Sequence, residues 1–212
     1  MNKRIGIMGG TFNPIHYGHL LLAETAYHEF SLDEVMIMPN KSPVYKKVHS
    51  LIKDEDRLAM IKLAIEGNVH FRLSTIEFER EGHTYTIDTI NKLTSTFPEN
   101  EYYFIMGADS LFQFESWKKP EEILEKVNIL VAGRSEKSYN EIDSQIDYLQ
   151  SVYGCGHIEY LHSPNLEISS HNIRKRISNK QSIKYLVPEA VEKYIIENNL
   201  YGDGSYVRWT IN

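Results

Sequence analysis

The run GGTFNPIHYGHL at residues 9–20 constrains this chain more than any other segment. It follows a short apolar stretch, Arg4-Ile5-Gly6-Ile7-Met8, and leads into an amphipathic one. The chain must therefore leave a strand, turn tightly and enter a helix. Gly9 and Gly10 let the backbone approach a ligand closely. Thr11 adds a hydroxyl to the turn, followed by Phe12. His16 and His19, either side of Tyr17-Gly18, stand where the helix should start. A helix N-terminus offers N–H groups and partial positive charge, so the segment is a seat for the phosphates of a nucleotide. It has neither the GxxxxGKS/T nor the GxGxxG spacing, which disfavours a P-loop NTPase and an ordinary dinucleotide dehydrogenase. Taken alone, the two histidines fit ligand contact and structural capping equally well. A zinc site would need a third ligand that the segment does not contain.

Apolar runs suited to strands recur at 4–8, 34–38, 71–78, 102–106, 128–132 and 157–161. Helical spacing lies between them: Leu58, Ile61 and Ile65; Ile87, Ile90 and Leu93; Ile142, Ile146 and Leu149. Asp54-Glu55-Asp56 favours the start of the first of these helices, and Pro188 a first-turn position in a last helix that runs to about Leu200. This alternation predicts an α/β fold: a doubly wound, mainly parallel sheet of about six strands with a small C-terminal helical part. Nucleotides bind at the carboxyl ends of such strands. Residues 39–53 form a long polar loop with Lys41, Lys46, Lys47, His49 and Lys53, the kind of loop that serves as a lid.

The second informative segment is Ile168-Ser169-Ser170-His171-Asn172-Ile173-Arg174. Ser169 or Ser170 suits a helix N-cap, and Ile173 with Ile177 gives a buried face. Arg174 close to a helix N-terminus opposes the dipole unless an anion sits there, which arginine can grip bidentately. Lys175 and Arg176 read as a solvated basic face.

Composition narrows the class. The chain has 212 residues, enough for one sizeable α/β domain, and a formal net charge of −6, which speaks against non-specific nucleic-acid binding. Its single cysteine, Cys155, forms no intrachain disulfide and fits a reducing cytoplasm. No apolar run reaches the about 20 residues that span a bilayer, and the N-terminus enters a strand without a signal peptide. A cytoplasmic protein with neither nucleic-acid nor membrane partners is expected.

The two segments together resemble the HxGH nucleotidylyltransferase superfamily, with its TFxPxHxGH turn and C-terminal SSxxIR. Other stretches are similar to bacterial nicotinate-nucleotide adenylyltransferases: Pro39-Asn40-Lys41-Ser42-Pro43-Val44-Tyr45-Lys46, Gly82-His83-Thr84-Tyr85-Thr86-Ile87-Asp88, Gly107-Ala108-Asp109 followed by Trp117, and Asn199-Leu200-Tyr201. The resemblance runs from about Lys3 to Tyr201. It implies a Rossmann-like nucleotidylyltransferase domain over 1–201 and a tail over 202–212, transferring the adenylyl group of ATP to nicotinate mononucleotide in NAD biosynthesis. It implies His16, His19, Lys46 and Arg174 as catalytic. Gly9, Gly10, Thr11, Phe12, Gly18, Gly107, Asp109, Ser169, Ser170 and Arg174 would hold ATP. Asn40, Thr84, Tyr85, Trp117 and Arg134 would hold the mononucleotide. Mg²⁺ would be held mainly by substrate phosphates, without a protein metal cage, and a homo-oligomer is compatible with the pattern. The chain departs from the family at Asn13 for Asp, Val44-Tyr45 for Pro-His, Gly133-Arg134 for Arg-Pro, and His171 for Thr.

Three other readings remain open on the residues. One is a related HxGH transferase acting on nicotinamide mononucleotide, phosphopantetheine or a CTP-linked alcohol phosphate. Another is a metal-dependent hydrolase using His16, His19 and Asp88 or Asp109. The third is a nucleotide sensor without turnover.

Overall fold

A computed structural model of the chain describes residues 2–41, 52–80, 84–133 and 138–202. Six parallel strands form one sheet: β1 (Arg4–Gly10), β2 (Glu34–Pro39), β3 (Phe71–Leu73), β4 (Glu101–Gly107), β5 (Asn128–Ala132) and β6 (Ile158–Leu161). Their spatial order is β3-β2-β1-β4-β5-β6, so the winding reverses between β1 and β4. Strands β1, β2, β4 and β5 are apolar on successive residues because both faces of the sheet are covered. On β4, Tyr102, Phe104 and Met106 enter one core layer, and Tyr103 and Ile105 enter the other.

Helices divide between these layers. On the first face lie α3 (Thr86–Thr96), through Ile87, Ile90 and Leu93; α4 (Ala108–Leu111); α5 (Pro120–Leu124); and α6 (Tyr139–Tyr153), through Ile142, Ile146 and Leu149. The second face carries α1 (Tyr17–Glu29), α2 (Asp54–Ile65), α7 (Ser170–Ser178) and α8 (Glu189–Glu197). Helix α6 starts on a capping box: the Ser138 hydroxyl accepts from the Glu141 amide while the Glu141 carboxylate accepts from the Ser138 amide. It ends on Gly154 at φ 63°, where a left-handed turn suits glycine.

Two expectations need correction. The run at 71–78 is a strand only over Phe71–Leu73; Ile76–Glu79 closes into a 3₁₀ turn. Its alternation looks strand-like because Glu77 points inward, toward hydroxyl partners rather than apolar ones. Pro188 is the N-cap of α8 and lies outside its first turn; α8 stops at Glu197 rather than Leu200. Two short helices, α4 and α5, carry too few turns to leave a periodic signal in the sequence.

Candidate active site

At the switch point between β1 and β4 the two strands send their connections to opposite sides, and a crevice opens at their carboxyl ends. A cleft of about 530 Å³ occupies it. Eleven further positions aside, its walls hold most of the expected residues: Gly9, Gly10 and Thr11 from the β1 turn, His19 from α1, Asn40 after β2, Thr84 and Tyr85 before α3, Gly107 and Asp109 after β4, and Trp117. Segments far apart in sequence thus meet where a parallel sheet places ligands.

The first turn is built around two stacked imidazoles. His16 is the N-cap of α1 in extended conformation, and His19 follows one turn along. Their ring centroids lie 3.7 Å apart at 25°, and the Phe12 edge meets His19 at 4.9 Å. The His16 backbone N–H donates to His19 Nδ1 at 3.3 Å. A neutral His19 therefore carries its proton on Nε2, at the opposite corner of the ring. His16 is only 2 % exposed and does not line the cleft; it backs the ring that does. Phe12 is likewise 2 % exposed, so its ring belongs to the core and packs over Gly10.

The stack explains Gly18. A methyl group there would lie 3.1 Å from both Cε1 and Nδ1 of His16, and that ring is held against His19. Gly18→Ala is expected to lower turnover about tenfold, through a displacement of a few tenths of an ångström passed to His19. Its melting temperature should stay near that of the parent, and steady-state kinetics beside thermal unfolding checks both.

The C-terminal segment acts first on the turn. Ser169 caps α7, its hydroxyl accepting from the Asn172 amide. The Ser170 hydroxyl donates to the Pro14 carbonyl at 2.8 Å, and Arg174 Nη1 donates to the Asn13 carbonyl at 2.8 Å. Tyr201, at the end of the chain's described part, donates its hydroxyl to Asn13 Oδ1 at 2.7 Å. Burial pushes the Tyr201 pKa up, against the pull of the Arg174 and Arg57 guanidiniums, so it remains a donor at neutral pH. Ser169, Ser170 and Arg174 thus stand behind the turn rather than in the cleft wall. His171 is exposed on α7.

On the far side, Trp117 packs edge-on against Phe104 at 5.8 Å, with Tyr85 nearby in the same wall. Thr84 is buried, and its hydroxyl donates to Glu77 Oε2 at 2.9 Å; Thr89 donates to Glu77 Oε1 at 3.0 Å. With its proton committed to Glu77, the Thr84 hydroxyl offers a ligand lone pairs and no donor. Tyr85 caps α3 without a side-chain bond, leaving the first amides of that helix, at Thr86 and Ile87, beyond reach of any earlier helical carbonyl. Lys118 Nζ sits 4.2 Å over the Tyr85 ring and 3.2 Å from Asp88 Oδ2.

Lys46 of the expected lid, with the Val44-Tyr45 departure, and Arg134 lie outside the described residues. Among the described residues no group of three or more His, Cys, Asp or Glu side chains is placed to hold a metal ion, and no helix is long and apolar enough to cross a membrane. Sequence reasoning missed Glu77, Lys118 and Arg57. Arg57 carried a signal: with Met60, Ile61 and Ala64 it falls at helical spacing on a buried face, where a charge needs a reason.

Comparison with known proteins bears on this geometry. The cytidylyltransferase-like family model matches residues 7–176. The "Probable nicotinate-nucleotide adenylyltransferase" of Lachnoclostridium phytofermentans is 49% identical over 199 residues, covering 94% of this chain and 99% of the relative. That of a Thermoanaerobacter species is 43% identical, covering 93% and 94%. Among solved structures, the Plasmodium falciparum nicotinic acid mononucleotide adenylyltransferase complexed with NaAD superposes with a TM-score of 0.78 at 22% identity, over 94% of this chain and 98% of that one, which shows a shared fold.

Proposed function

The chain belongs to the nicotinate-nucleotide adenylyltransferase family, and on that premise we propose that it transfers the adenylyl group of ATP to nicotinate mononucleotide, giving nicotinate adenine dinucleotide and pyrophosphate. The observation that carries this reading is the meeting, at one switch point, of the glycine-histidine turn with the Thr84-Tyr85 and Trp117 wall. The first suits a triphosphate and the second a flat charged ring.

In this reading a 5′-phosphate oxygen of the mononucleotide attacks the α-phosphorus of ATP. A P–O bond forms there as the bond to the β-phosphate oxygen breaks, and the electron pair leaves with pyrophosphate. A phosphate dianion needs no activation by a base. The protein's work is to align two polyanions and stabilise the charge that develops. The Nε2–H of His19, held by the bond at Nδ1, is the donor for that charge, and His16 keeps its ring in place. Gly9, Gly10 and Thr11 bring backbone to the phosphates, Gly107 and Asp109 take the adenosine side, and a carboxylate there suits sugar hydroxyls. Arg174, Ser169 and Ser170 hold the turn from behind, and the donors Arg174 does not spend on Asn13 are assigned to β/γ phosphates that extend past the turn, beyond the cleft wall. Lys46 neutralises the incoming phosphate, and Asn40 and Arg134 complete the mononucleotide side. Mg²⁺ would be held mainly by substrate phosphates and water, since the cleft carboxylates Glu77 and Asp109 form no cage, and it would offset phosphate charge. Residues 1–201 form the catalytic unit, located in the cytoplasm.

Selectivity for acid over amide follows from the same wall. A carboxylate on the ring meets the uncapped start of α3 and the Lys118 ammonium, and these two donors outweigh the single Thr84 lone-pair acceptor that a carboxamide N–H₂ would find. Initial rates with the two mononucleotides, side by side with ATP, should favour the acid by at least about tenfold, or about 1.4 kcal/mol. Equal rates would remove acid recognition from the account.

A further inference from the structure

Where β1 and β2 part at the cleft, two main-chain carbonyls lose the ladder that would have satisfied them. The last backbone bond between these segments runs from the Asn40 amide to the Gly10 carbonyl at 2.9 Å. Just past it, the Thr11 and Asn40 carbonyls both take their donors from one side chain. Arg57 of α2, 0% exposed, donates from Nη1 to the Thr11 carbonyl and from Nη2 to the Asn40 carbonyl, each at 2.7 Å. Asp54 Oδ1, at 2.5 Å from Nη2, is its counter-ion. Thr11 and Asn40 both line the cleft, one on the ATP side and one on the mononucleotide side, while Arg57 does not reach it.

We propose that Arg57 is a positioning residue for adenylyl transfer: its planar fork sets the gap between the turn that carries ATP and the β2 end that carries the mononucleotide. The inference rests on the function proposed above. A buried guanidinium carries a large desolvation penalty, and an apolar side chain of similar volume would pack α2 as well. What only a rigid two-armed donor supplies is a fixed distance between two carbonyls on different segments. In-line transfer is sensitive to that distance, since the nucleophile and the α-phosphorus must start within near-contact range.

The test compares Arg57→Lys with Tyr194→Phe. Lysine keeps the charge but has no fork. Tyr194 donates to Asp56 of the same helix at 3.0 Å, so its removal loosens α2 from α8 and leaves both carbonyls held. Arg57→Lys should lose about 10- to 100-fold in kcat with each KM within about threefold. Tyr194→Phe should keep kcat within about twofold, even where its melting temperature falls as far. A kcat for Arg57→Lys within about twofold of the parent overturns the proposal, as does an equal loss in both variants at equal melting temperature. If Arg57→Lys does not fold, Asp54→Ala removes the acceptor on Nη2 and so one of the three anchors; a loss of about three- to tenfold in kcat is expected, and unchanged turnover is the contrary result. Parental turnover of nicotinate mononucleotide is measured alongside. Its absence counts against the acceptor assignment alone, and the Arg57 ratio is then read with whichever phosphate acceptor the parent adenylylates.

Discussion

His19→Ala is expected to lower kcat by about 10²–10³ while ATP affinity falls far less. The reason is where the ring sits and how it is held. His19 lines the cleft, its Nδ1 accepts from the His16 backbone, and its faces are packed by the His16 ring and the Phe12 edge. A donor fixed in this way needs no reorganisation as charge builds on the α-phosphoryl group, and its contribution is larger in the transition state than in the bound substrate. His16→Ala should also cost about 10²–10³ in kcat. It acts by a different route: it removes the ring on which His19 rests and the imidazole beside the first amides of α1, and it should cost stability as well because His16 is buried. Isothermal titration with ATP and steady-state kinetics separate binding from turnover. Near-normal kcat in both variants would remove the histidines from the mechanism.

Arg174→Met should cost about 10² in kcat/KM for ATP. The side chain has two tasks. One Nη1 donor holds the Asn13 carbonyl, beside the Ser170 bond to Pro14 and the Tyr201 bond to Asn13 Oδ1, so α7 and the chain's end brace the turn from behind. A guanidinium has five N–H donors, and in the proposed function those left over, with the charge, serve the triphosphate. The variant loses both brace and charge. Arg174→Lys keeps the charge and should recover part of the loss, because one ammonium cannot span a carbonyl and a phosphate in one plane. Ser170→Ala, which removes only a brace, should cost less than either. A kcat/KM for Arg174→Met within about threefold of the parent would remove Arg174 from the handling of ATP.

The architecture was legible because its signals are repeated. Strands β1, β2, β4, β5 and β6 stand within two residues of where their apolar runs placed them, and α3 and α6 follow their Ile and Leu spacings, while α2 forms where expected but buries Arg57, Met60 and Ile61 rather than Leu58. The failure at 71–78 has a local cause: Glu77 mimics an inward strand residue, yet the burial it earns comes from Thr84 and Thr89 hydroxyls. The site was legible to the extent that its residues sit in glycine-rich or aromatic segments with a recognisable order. Which of them face the cleft was not. Spacing alone does not tell that His19 faces the cleft while His16 backs it, or that Arg174 and Ser170 reach the Asn13 and Pro14 carbonyls. Nor does it tell that Arg57 joins two loops 29 positions apart in sequence at Thr11 and Asn40. These are pairings across the fold, and periodicity carries only what lies within an element.

The most direct test of the account is a product balance with the purified chain, ATP, Mg²⁺ and nicotinate mononucleotide. Nicotinate adenine dinucleotide and pyrophosphate should appear in equal amounts. No pyrophosphate with this acceptor, together with release when phosphopantetheine replaces it, would contradict it.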